Sequence, residues 1–473
     1  MKELKMLRAQ GKYLVDPNGE KVFLRGICIG SWLNMEAFMT GYIGTESQMW
    51  RALEKELGEE RYNAFRSAYL DNFITEADYE YMASLGVNAV RLGFNHRYLE
   101  SDDNPFEYKE DGFKYLDRAI AWGKKYGIYT ILDMHAVPGW QNNRWHCDNP
   151  TGNALLWESK FYRTRAARLW GHIAAHYKNE PAVAGYDLMN EPEAPDIVAL
   201  RNMYADMIRE IRAAGDQHVC FVEGNDRGKD FSRLEDLIGE IVAFSIHHYN
   251  SVLYDARNYP GQIGDSYADY AYLERVFKAR NRFMLEHGVV SYSGEFSNVY
   301  FNDVDKPSYG ELSKLRALDD QLQIFNRYEQ HWTIGSYKDV RFCGLVIPQQ
   351  DCEYMRRINP IIELKNRLAL DVFPSRRIGV IPRVTHELLY AVAQETGELL
   401  QDYSLNIPSL NKQVGEEAIG SCLSGLMAPL YAVRFADMSA AEITQMIEHA
   451  FNTKYMNKRT YLADVLKKNL SAE

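Results

Sequence analysis

Polar side chains suited to acid–base chemistry follow directly after several of the short apolar runs of this chain. In chain order they are Arg91, Asp133, His135, Asn190, Glu191, His247, His248, Tyr249 and Glu295. Two carboxylates that face each other across a sugar are the minimum needed to cleave a glycosidic bond. One protonates the leaving oxygen, and the other attacks or stabilises the oxocarbenium-like centre. Glu191 and Glu295 are therefore the candidate catalytic pair.

The two carboxylates must differ in pKa to take different roles. An arginine and a tyrosine near one of them would hold it ionised, and Arg91 and Tyr249 are the candidates; the other, in apolar or negative surroundings, would stay protonated. His135 and His247 are expected to bond sugar hydroxyls or to orient the acid, and Asn190 to bond the 2-hydroxyl. Each residue alone also has an ordinary structural explanation, but their joint order along the chain favours one site.

Two other kinds of protein remain as alternatives. A metal-dependent hydrolase would use Asp133, His135, His247 and His248, but no His-x-His pair marks the first strand, and no carboxylate set suits two metals. We therefore expect no metal and no cofactor. A catalytically silent carbohydrate-binding barrel is the second alternative.

The elements that must position these residues form a repeating pattern of apolar runs and amphipathic segments. The predicted strands are Val22–Ile29, Val87–Gly93, Tyr129–Asp133, Ala184–Met189, Val219–Val222, Val242–Ile246, Val289–Ser293 and Thr333–Tyr337. The clearest predicted helices between them are Gly112–Lys125, Tyr162–Tyr177, Asp196–Ala213, Tyr272–His287 and Glu311–Gln330. This pattern predicts an α/β fold, a closed (β/α)₈ TIM barrel, in which polar residues at the strand ends share one rim. An open doubly wound sheet is the alternative, weakened by the lack of a Gly-x-Gly-x-x-Gly motif after the first strand.

Three connections after strands are long enough to build the walls of a site. They are predicted as loops over Gly30–Tyr79, Ala136–Lys160 and Asn250–Tyr270. The first two carry tryptophans whose flat faces suit sugar rings, although each could equally cover a local core: Trp32, Trp50, Trp140, Trp145 and Trp157.

The alternation of strands and helices stops after Val372-Phe-Pro-Ser375, and only helical patterning follows. This change predicts a barrel over residues 1–374 and a helical C-terminal region over residues 375–473. Within that region, Ser439-Ala-Ala-Glu442 has the spacing of a capping box at the start of a helix.

Composition excludes several classes of partner. The chain has 473 residues and a formal net charge of −11, so its net field repels nucleic acid and anionic membranes. We find no apolar run long enough to span a membrane and no leader-like segment at the start. Six scattered cysteines indicate free thiols in a reducing compartment, and together these features predict a cytoplasmic protein. The oligomeric state is not predictable from the sequence.

The ordered set of motifs resembles glycoside hydrolase family 5, the retaining (β/α)₈-barrel β-glycosidases. The resemblance covers about residues 11–370 and begins with Gly11-Lys-Tyr-Leu-Val-Asp-Pro-Asn-Gly19 and Leu24-Arg-Gly-Ile27. It continues through Arg91-Leu-Gly93, His135, Asn190-Glu-Pro192, His247-His-Tyr249 and Ser293-Gly-Glu-Phe296. The combination of Asn-Glu-Pro with a later His-x-Tyr and Gly-Glu-Phe is highly specific.

The resemblance implies a role for each of these residues. Glu191 would be the acid/base and Glu295 the nucleophile, with retention of configuration, and Arg91 and Tyr249 would orient Glu295. The subsite of the attacked sugar would be lined by Asn190, His135 and His247.

One position departs from the family pattern. The family places a tryptophan at the end of the eighth strand, whereas the segment Trp332-Thr-Ile-Gly-Ser-Tyr-Lys-Asp339 puts Gly335 there. The sugar platform would then be altered, or supplied by another aromatic residue such as Trp140.

The expected substrate is a small saccharide or glycoside. Long loops suggest a closed pocket, and we expect exo action on small β-glucosides or β-mannosides. An endo-β-glycanase with an open cleft is the nearest alternative.

Overall fold

Eight parallel strands close into a barrel in the structure, a computed structural model that describes residues 3–254, 257–300, 307–370, 379–396 and 413–471. The barrel strands, named β1 to β8 here, are Arg25–Leu33, Ala89–Asn95, Tyr129–Ala136, Val183–Asp187, Val219–Glu223, Val242–His247, Ser291–Glu295 and His331–Ile334. Closure comes from β8, which pairs in parallel with both β7 and β1. The predicted (β/α)₈ barrel is confirmed, and the open-sheet alternative is wrong.

Every predicted strand is present, with ends displaced by a few residues. The first strand was expected at Val22–Ile29 but lies three residues later, at Arg25–Leu33. The seventh runs two residues further than expected, which makes Glu295 its last residue. Strands β2 to β6 are buried along their whole length because helices cover the outside of the barrel, so a near-continuous apolar run marks each strand but not its exact ends.

Amphipathic helices surround the barrel and bury their apolar faces against it. Those that follow β2 and the later strands include Phe113–Tyr126, Lys160–Tyr177, Ile197–Ala213, Tyr270–Arg280, Arg282–His287, Tyr309–Arg327 and Glu353–Leu368. Their starts are fixed by side-chain caps; for example, Asp196 accepts from the Ala199 N–H, and Ser308 and Glu311 form a capping box. Four of the five predicted barrel helices are present as single helices, and the predicted helix Tyr272–His287 is divided in two at Asn281.

The connection Gly30–Tyr79 is not the long loop that we expected. It contains four helices, Ala37–Thr40, Glu46–Leu57, Glu59–Asn72 and Glu76–Leu85. Thr45 and Gln48 form a capping box at the second of them, and Thr75 and Asp78 form one at the fourth. These caps are short sequence signals that a search for long apolar periodicity overlooks.

The other connections are largely irregular and carry short elements. Short helices are Leu155–Glu158, Asn225–Gly228 and Ser251–Tyr254, and the 3₁₀ turns are His96–Tyr98, Glu110–Gly112, Trp145–Cys147 and Glu235–Leu237. Two hairpins pair Arg8–Gln10 with Tyr13–Val15 and Gly261–Ile263 with Ser266–Ala268. The connections after β3 and β6 are therefore the loops expected from the sequence, apart from these short elements.

Helices dominate the described part of the C-terminal region. They are Val380–Glu395, the π-helical turn Gln413–Gly420, Ser421–Ala432, Ala440–Phe451 and Thr460–Leu470, with 3₁₀ turns at Val433–Phe435 and Thr453–Tyr455. The capping box of Ser439 and Glu442 opens the helix Ala440–Phe451. The boundary at residues 374 and 375 lies outside the described residues, so the division into two domains stays a prediction.

This C-terminal region packs directly on the connection after β1. The ring of Phe451 lies 5.3 Å from that of Tyr69 and 5.4 Å from that of Phe73, measured between centroids. A short strand, Asn457–Lys458, pairs antiparallel with Val346–Ile347 beyond β8. Residues of the barrel and of the C-terminal helices therefore share one hydrophobic core.

Two buried cations join the C-terminal region to the connection after β8. Arg459 donates to the carbonyl oxygens of Arg341, Phe342 and Gly344 at 2.8, 3.0 and 2.9 Å. Lys338 pairs with Asp78 at 2.8 Å, and its Nζ also donates to the carbonyl oxygens of Phe73 and Phe451. A buried charge is tolerated only with such partners, so these contacts fix the C-terminal helices to the rim of the barrel.

The six cysteines are free thiols, and Cys28, Cys147, Cys220 and Cys343 are buried. Among the described residues, we find no helix that combines the length and apolarity needed to cross a bilayer.

Candidate active site

Glu191 and Glu295 meet at the carboxyl end of the barrel. Glu295 is the last residue of β7, and Glu191 lies four residues beyond β4 in the left-handed region, at φ 45°. An oxygen of each carboxylate and a ring nitrogen of His247 lie within 4.8 Å of one another. Each glutamate side chain is 15% exposed, so both open onto the same partly enclosed space.

Glu295 is held by a guanidinium and a phenol. Arg91 Nη1 lies 2.6 Å from Oε1, and the Tyr249 hydroxyl donates to Oε2 at 3.1 Å. Burial alone would raise the pKa of this carboxyl, but the positive charges of His247, Arg91 and His135 lower it to about 2. Glu295 is therefore ionised throughout the neutral range.

Arg91 is the hub of the site. Its Nε donates to Asp187 at 2.8 Å, and its Nη2 donates to Asn190 Oδ1 at 2.9 Å and lies 3.2 Å from both Glu223 and Asp133. The side chain is 2% exposed, and the carboxylates around it outweigh burial and raise its pKa well above the usual value. The guanidinium stays charged and holds the ends of several strands in register.

Glu191 is held by histidines instead. His247 Nδ1 lies 2.9 Å from Oε1, His146 Nε2 lies 3.6 Å from Oε2, and the backbone N–H of Glu191 donates to Glu223 Oε2 at 2.8 Å. Burial raises the pKa of Glu191, but the hydrogen bond and charge of His247 lower it further, to a value well below the usual range. The expectation that apolar or negative surroundings keep this glutamate protonated is therefore wrong, because a histidine partner takes up the proton.

His247 lies among three carboxylates. Besides Glu191, its Nδ1 is 3.5 Å from Glu295 Oε2, and its Nε2 is 3.0 Å from Glu223 Oε1. Burial lowers the pKa of the imidazole, but these negative charges raise it well above its usual value. One proton therefore resides on the pair formed by His247 and Glu191, on the histidine in this arrangement.

The similarity of this chain to known proteins extends through the whole site. A family model described as Cellulase (glycosyl hydrolase family 5) matches residues 31–338, which is more than half of the chain. The chain belongs to glycosyl hydrolase family 5. It is therefore a glycoside hydrolase, and its substrate is a saccharide or glycoside.

Relatives in this family span different activities. The chain is 34% identical to a protein named Beta-xylosidase from Phanerodontia chrysosporium over 474 residues, which covers 98% of each protein. It is 25% identical to Endoglucanase C from Acetivibrio thermocellus over 318 residues, 60% of this chain and 89% of that one. Among solved structures, an endogalactoceramidase superposes with a TM-score of 0.52 at 19% identity, covering 71% of this chain and 76% of that one. The structural likeness supports the fold alone.

His135 and Asn190 join the family 5 site as expected from the sequence. His135 Nδ1 lies 2.6 Å from Asp133 Oδ2, and its Nε2 lies 3.7 Å from Glu36 Oε1. Burial lowers the pKa of His135, but Asp133 and other carboxylates raise it to about 9, so the ring is cationic at neutral pH. Asn190 accepts from Arg91, and its backbone oxygen accepts from Gln141 Nε2 at 2.8 Å.

Among the described residues, neither Trp140 nor His248 contacts the catalytic pair. The backbone N–H of Trp140 donates to the carbonyl oxygen of Val137, and among the described residues its half-buried side chain makes no hydrogen bond with either glutamate. The ring of His248 packs against Phe277 and Phe325 in the core, and burial lowers its pKa well below the usual value. His248 is therefore a core residue, which removes one ligand of the metal-dependent alternative.

The other tryptophans divide between core and rim. Trp32 is fully buried, Trp50 packs in an aromatic cluster, and Trp157 donates to the carbonyl oxygen of Gln141. Trp145 alone of these lies beside a residue of the site, with its ring 5.8 Å from that of His146.

Gly335 lies at the site, directly beyond β8. A Cβ atom built there would be 3.5 Å from the Tyr249 hydroxyl and 3.8 Å from the Phe296 carbonyl oxygen. A side chain at this position would therefore reach the phenol that holds Glu295, and glycine leaves that space open.

Four acidic or histidine residues of the site were missed from the sequence: Glu36, His146, Asp187 and Glu223. Asp187 and Glu223 are the last residues of β4 and β5, so the rule used for the other strand ends applies to them as well. Glu36 and His146 lie in connections without periodicity, and no sequence signal distinguishes them.

A divalent ion would have only one set of ligands within reach. Glu191, His247 and Glu295 have the required spacing among the described residues. However, Arg91 already neutralises Glu295 at 2.6 Å, which disfavours a second cation there. The absence of a metal requirement stays a prediction.

Proposed function

We propose that this family 5 enzyme is a retaining β-glycosidase that removes single sugars from small β-glycosides. The observation that carries this proposal is the approach of the Glu191 and Glu295 oxygens to within 4.8 Å. Carboxyl groups about 5 Å apart leave no room for an inverting water molecule, whereas inverting enzymes separate theirs by roughly 6.5–9.5 Å.

In the first step, Glu295 attacks the anomeric carbon. Arg91 and Tyr249 each bind one oxygen of this carboxylate, at 2.6 and 3.1 Å, so it is held ionised and aimed into the site. The bond from the anomeric carbon to the leaving oxygen breaks as the bond to Glu295 forms. Asn190, held by Arg91, is placed to bond the 2-hydroxyl of the same sugar.

Glu191 supplies the proton for the leaving oxygen. The proton that rests on His247 Nδ1 passes across 2.9 Å to Glu191 Oε1, and from there to the departing group. In the second step Glu191 takes a proton from water, whose oxygen attacks the anomeric carbon and releases Glu295 as a carboxylate. Glu191 thus acts first as acid and then as base.

The rim of the site supports exo action. Phe38, Met39, Val299, Phe342 and Cys343 form an apolar cluster, against which Trp145 and Tyr254 pack. These residues come from the connections after β1, β3, β6, β7 and β8, so five loops meet over one side of the barrel mouth. An enclosed site of this kind suits a terminal sugar. The full-length similarity to a Beta-xylosidase adds β-xylosides to the β-glucosides and β-mannosides predicted from the sequence.

Two measurements test this proposal. Hydrolysis of a panel of 4-nitrophenyl β-glycosides, followed by NMR from the first minutes, should show the β-anomer of the free sugar as the first product. A 2-deoxy-2-fluoro β-glycoside should form a stable adduct, and peptide mapping should place it on Glu295. First release of the α-anomer, or a label on another residue, would contradict the mechanism.

An endo-β-glycanase is the second candidate, favoured by the similarity to Endoglucanase C. Products from an end-labelled β-linked oligosaccharide separate the two. Single sugars released from the non-reducing end support exo action, and internal cuts support the endo-glycanase. The cytoplasmic location stays a prediction.

A further inference from the structure

Charged side chains that the catalytic steps do not use lie on the side of the site where the leaving group must be. Glu191 protonates the leaving oxygen and follows β4, so the leaving group lies beside the end of that strand. Around the barrel, β4 stands between β3 and β5. The connections after these three strands carry Arg144, Glu193 and Arg227, whose side chains are all half-buried.

Glu193 lies between the two guanidinium groups. Its Oε1 is 3.0 Å from Arg227 Nε and 3.9 Å from Arg144 Nε. Its backbone N–H donates to the Gln141 carbonyl oxygen at 3.1 Å, which fixes it against the connection after β3. A guanidinium beside a carboxylate offers N–H donors next to an acceptor, and neighbouring hydroxyls of a sugar can use both.

A strained backbone brings Arg227 to this place. Asp226 and Arg227 both adopt left-handed conformations, at φ 49° and 59°, which residues other than glycine rarely adopt in succession. Contacts with the connection after β4 hold them there. The Arg227 N–H donates to the Pro192 carbonyl oxygen at 3.2 Å, and Asn225 exchanges hydrogen bonds of 2.8 and 3.1 Å with the backbone of Ala194. Strain of this kind is typical of functional sites, and here it places a guanidinium beside the residues that follow the acid.

His146 adds a neutral donor on the same side of Glu191. The amide of Asn142 is oriented by the Arg144 N–H, which donates to Oδ1 at 3.0 Å, so Asn142 Nδ2 donates to His146 Nε2 at 2.9 Å. Because Nε2 accepts, the ring is neutral and carries its proton on Nδ1, in agreement with burial lowering its pKa to about 3. That Nδ1–H makes no hydrogen bond among the described residues, and Nε2 is 3.6 Å from Glu191 Oε2.

From these contacts we propose that Arg227 and Glu193 form a binding site for the hydroxyls of a leaving sugar, with His146 as a further donor. The inference rests on the proposed glycosidase function and deepens it, because it specifies the leaving group as a second sugar. Among the described residues, the connections after β3, β4 and β5 give the apolar rim cluster only Trp145. An apolar leaving group would therefore meet mainly charged groups on this side.

The test compares two substrates that share the attacked sugar and differ in the leaving group. The attacked sugar is the one whose 4-nitrophenyl β-glycoside the wild type hydrolyses fastest. One substrate is its β-1,3- or β-1,4-linked disaccharide, whichever is cleaved faster, and the other is its cyclohexyl β-glycoside. Both leaving groups are secondary alcohols that need a proton, but cyclohexanol has no other hydroxyl. The wild type should prefer the disaccharide in kcat/KM by about 100-fold, because a site built for hydroxyls rejects an analogue that lacks them.

Arg227→Met should lower kcat/KM for the disaccharide by about 30-fold and for the cyclohexyl glycoside by about 3-fold. The smaller loss is expected because the charge of Arg227 also lowers the pKa of Glu191. Glu193→Gln, which keeps the shape, should lower the preference for the disaccharide by about 5-fold. The preference reports the binding of hydroxyls, because a change in the acid affects both substrates alike.

Arg233→Met is the matched control. Arg233 lies in the same connection after β5 and is also left-handed, at φ 60°, but it is exposed and forms no ion pair with Glu193 among the described residues. This variant should keep the wild-type preference. Urea denaturation checks that each variant is folded, and Glu193→Gln carries the test if Arg227→Met does not fold. A wild type without the preference, or folded Arg227 and Glu193 variants that lose activity on both substrates equally, would overturn the proposal.

A failure of this leaving-group site is distinguishable from a failure of the proposed function. Labelling of Glu295 by a 2-deoxy-2-fluoro glycoside in the wild type tests the glycosidase mechanism alone. A labelled and active wild type, whose Arg227→Met and Glu193→Gln variants keep the full preference for the disaccharide, would remove only the role of these two residues.

Discussion

The surroundings of Glu295 and of Glu191 differ in the kind of cation that each contains. Glu295 contacts Arg91, whose charge is permanent, and a tyrosine hydroxyl. Glu191 contacts His247, a titratable ring whose pKa the surrounding carboxylates raise, and His146, whose pKa burial lowers to about 3 so that its ring is neutral. The same residue type thus has a fixed electrostatic partner at one position and an exchangeable one at the other.

The kind of neighbour distinguishes the nucleophile from the acid/base better than the pKa values of the two glutamates do. Both carboxyls have lowered pKa values in the free enzyme, so a search for one protonated glutamate would fail. A nucleophile needs a partner that never removes its charge, whereas an acid/base needs a neighbour that stores the proton. The four predictions below test this comparison, beginning with the largest expected effect.

Glu295→Gln should lower kcat by about 10⁴-fold or more, because an amide cannot form the covalent intermediate. Steady-state kinetics on the best 4-nitrophenyl glycoside measures the loss. Glu191→Gln is the matched variant: it should lose far less on a 2,4-dinitrophenyl glycoside, whose leaving group needs no proton. Equal losses in both variants on that substrate would contradict the assignment of roles.

Arg91→Met should be the next most damaging change. It leaves buried carboxylates unpaired around the hub, which costs about 3–5 kcal/mol of unfolding free energy and raises the pKa of Glu295. We expect kcat/KM to fall by about 10³-fold. Urea denaturation and the acid limb of the kcat/KM profile check both effects. If the variant unfolds at the same urea concentration as the wild type, Arg91 does not stabilise the fold by pairing with these carboxylates.

His247→Gln should lower activity by about 10²-fold and change its pH dependence. The wild-type pair loses its proton only as pH rises through the raised pKa of His247. Without the imidazole, Glu191 alone must hold the proton, and its pKa is lower than that of His247. The decline of kcat/KM on the basic side of the pH profile should therefore begin at a lower pH. Stability should follow the same sign: the ion pairs of His247 stabilise the fold fully below about pH 6.5 and are lost as pH rises through its raised pKa. An unchanged basic limb would exclude the shared proton.

Tyr249→Phe should have the smallest effect of the four. It removes one hydrogen bond of 3.1 Å to Glu295 and leaves Arg91 in place. Because this hydrogen bond is made to a charged group, its loss should lower kcat/KM by about 10-fold. A loss as large as that of Arg91→Met would show that the phenol, and not the guanidinium, dominates the binding of Glu295.

The barrel was predictable from the sequence because its signals are local. Each strand is a short apolar run, and the polar residue that follows it marks the rim, as with Glu295 after β7. Asp187 and Glu223 obey the same rule, but they lie at the ends of strands whose limits were placed a residue or two differently. Strand ends are the least certain part of such a prediction.

Residues in the connections could not be predicted because their positions depend on tertiary contacts. Glu36 reaches the site only because Ser31 fixes its backbone, and His146 because the connection after β3 folds back over Glu191. The helices of residues 46–85 were missed for a similar reason. Their packing partners, such as Phe451, lie far away in the chain.

The hydrogen bonds of Arg459 have a consequence for how the protein is made. Its guanidinium holds the backbone of residues 341–344, next to Phe342 and Cys343 at the mouth of the barrel. During synthesis this arginine emerges long after all eight strands have left the ribosome. A nascent chain can therefore close its barrel before the backbone at the barrel mouth is fixed, because residues 341–344 gain these hydrogen bonds only after Arg459 has emerged.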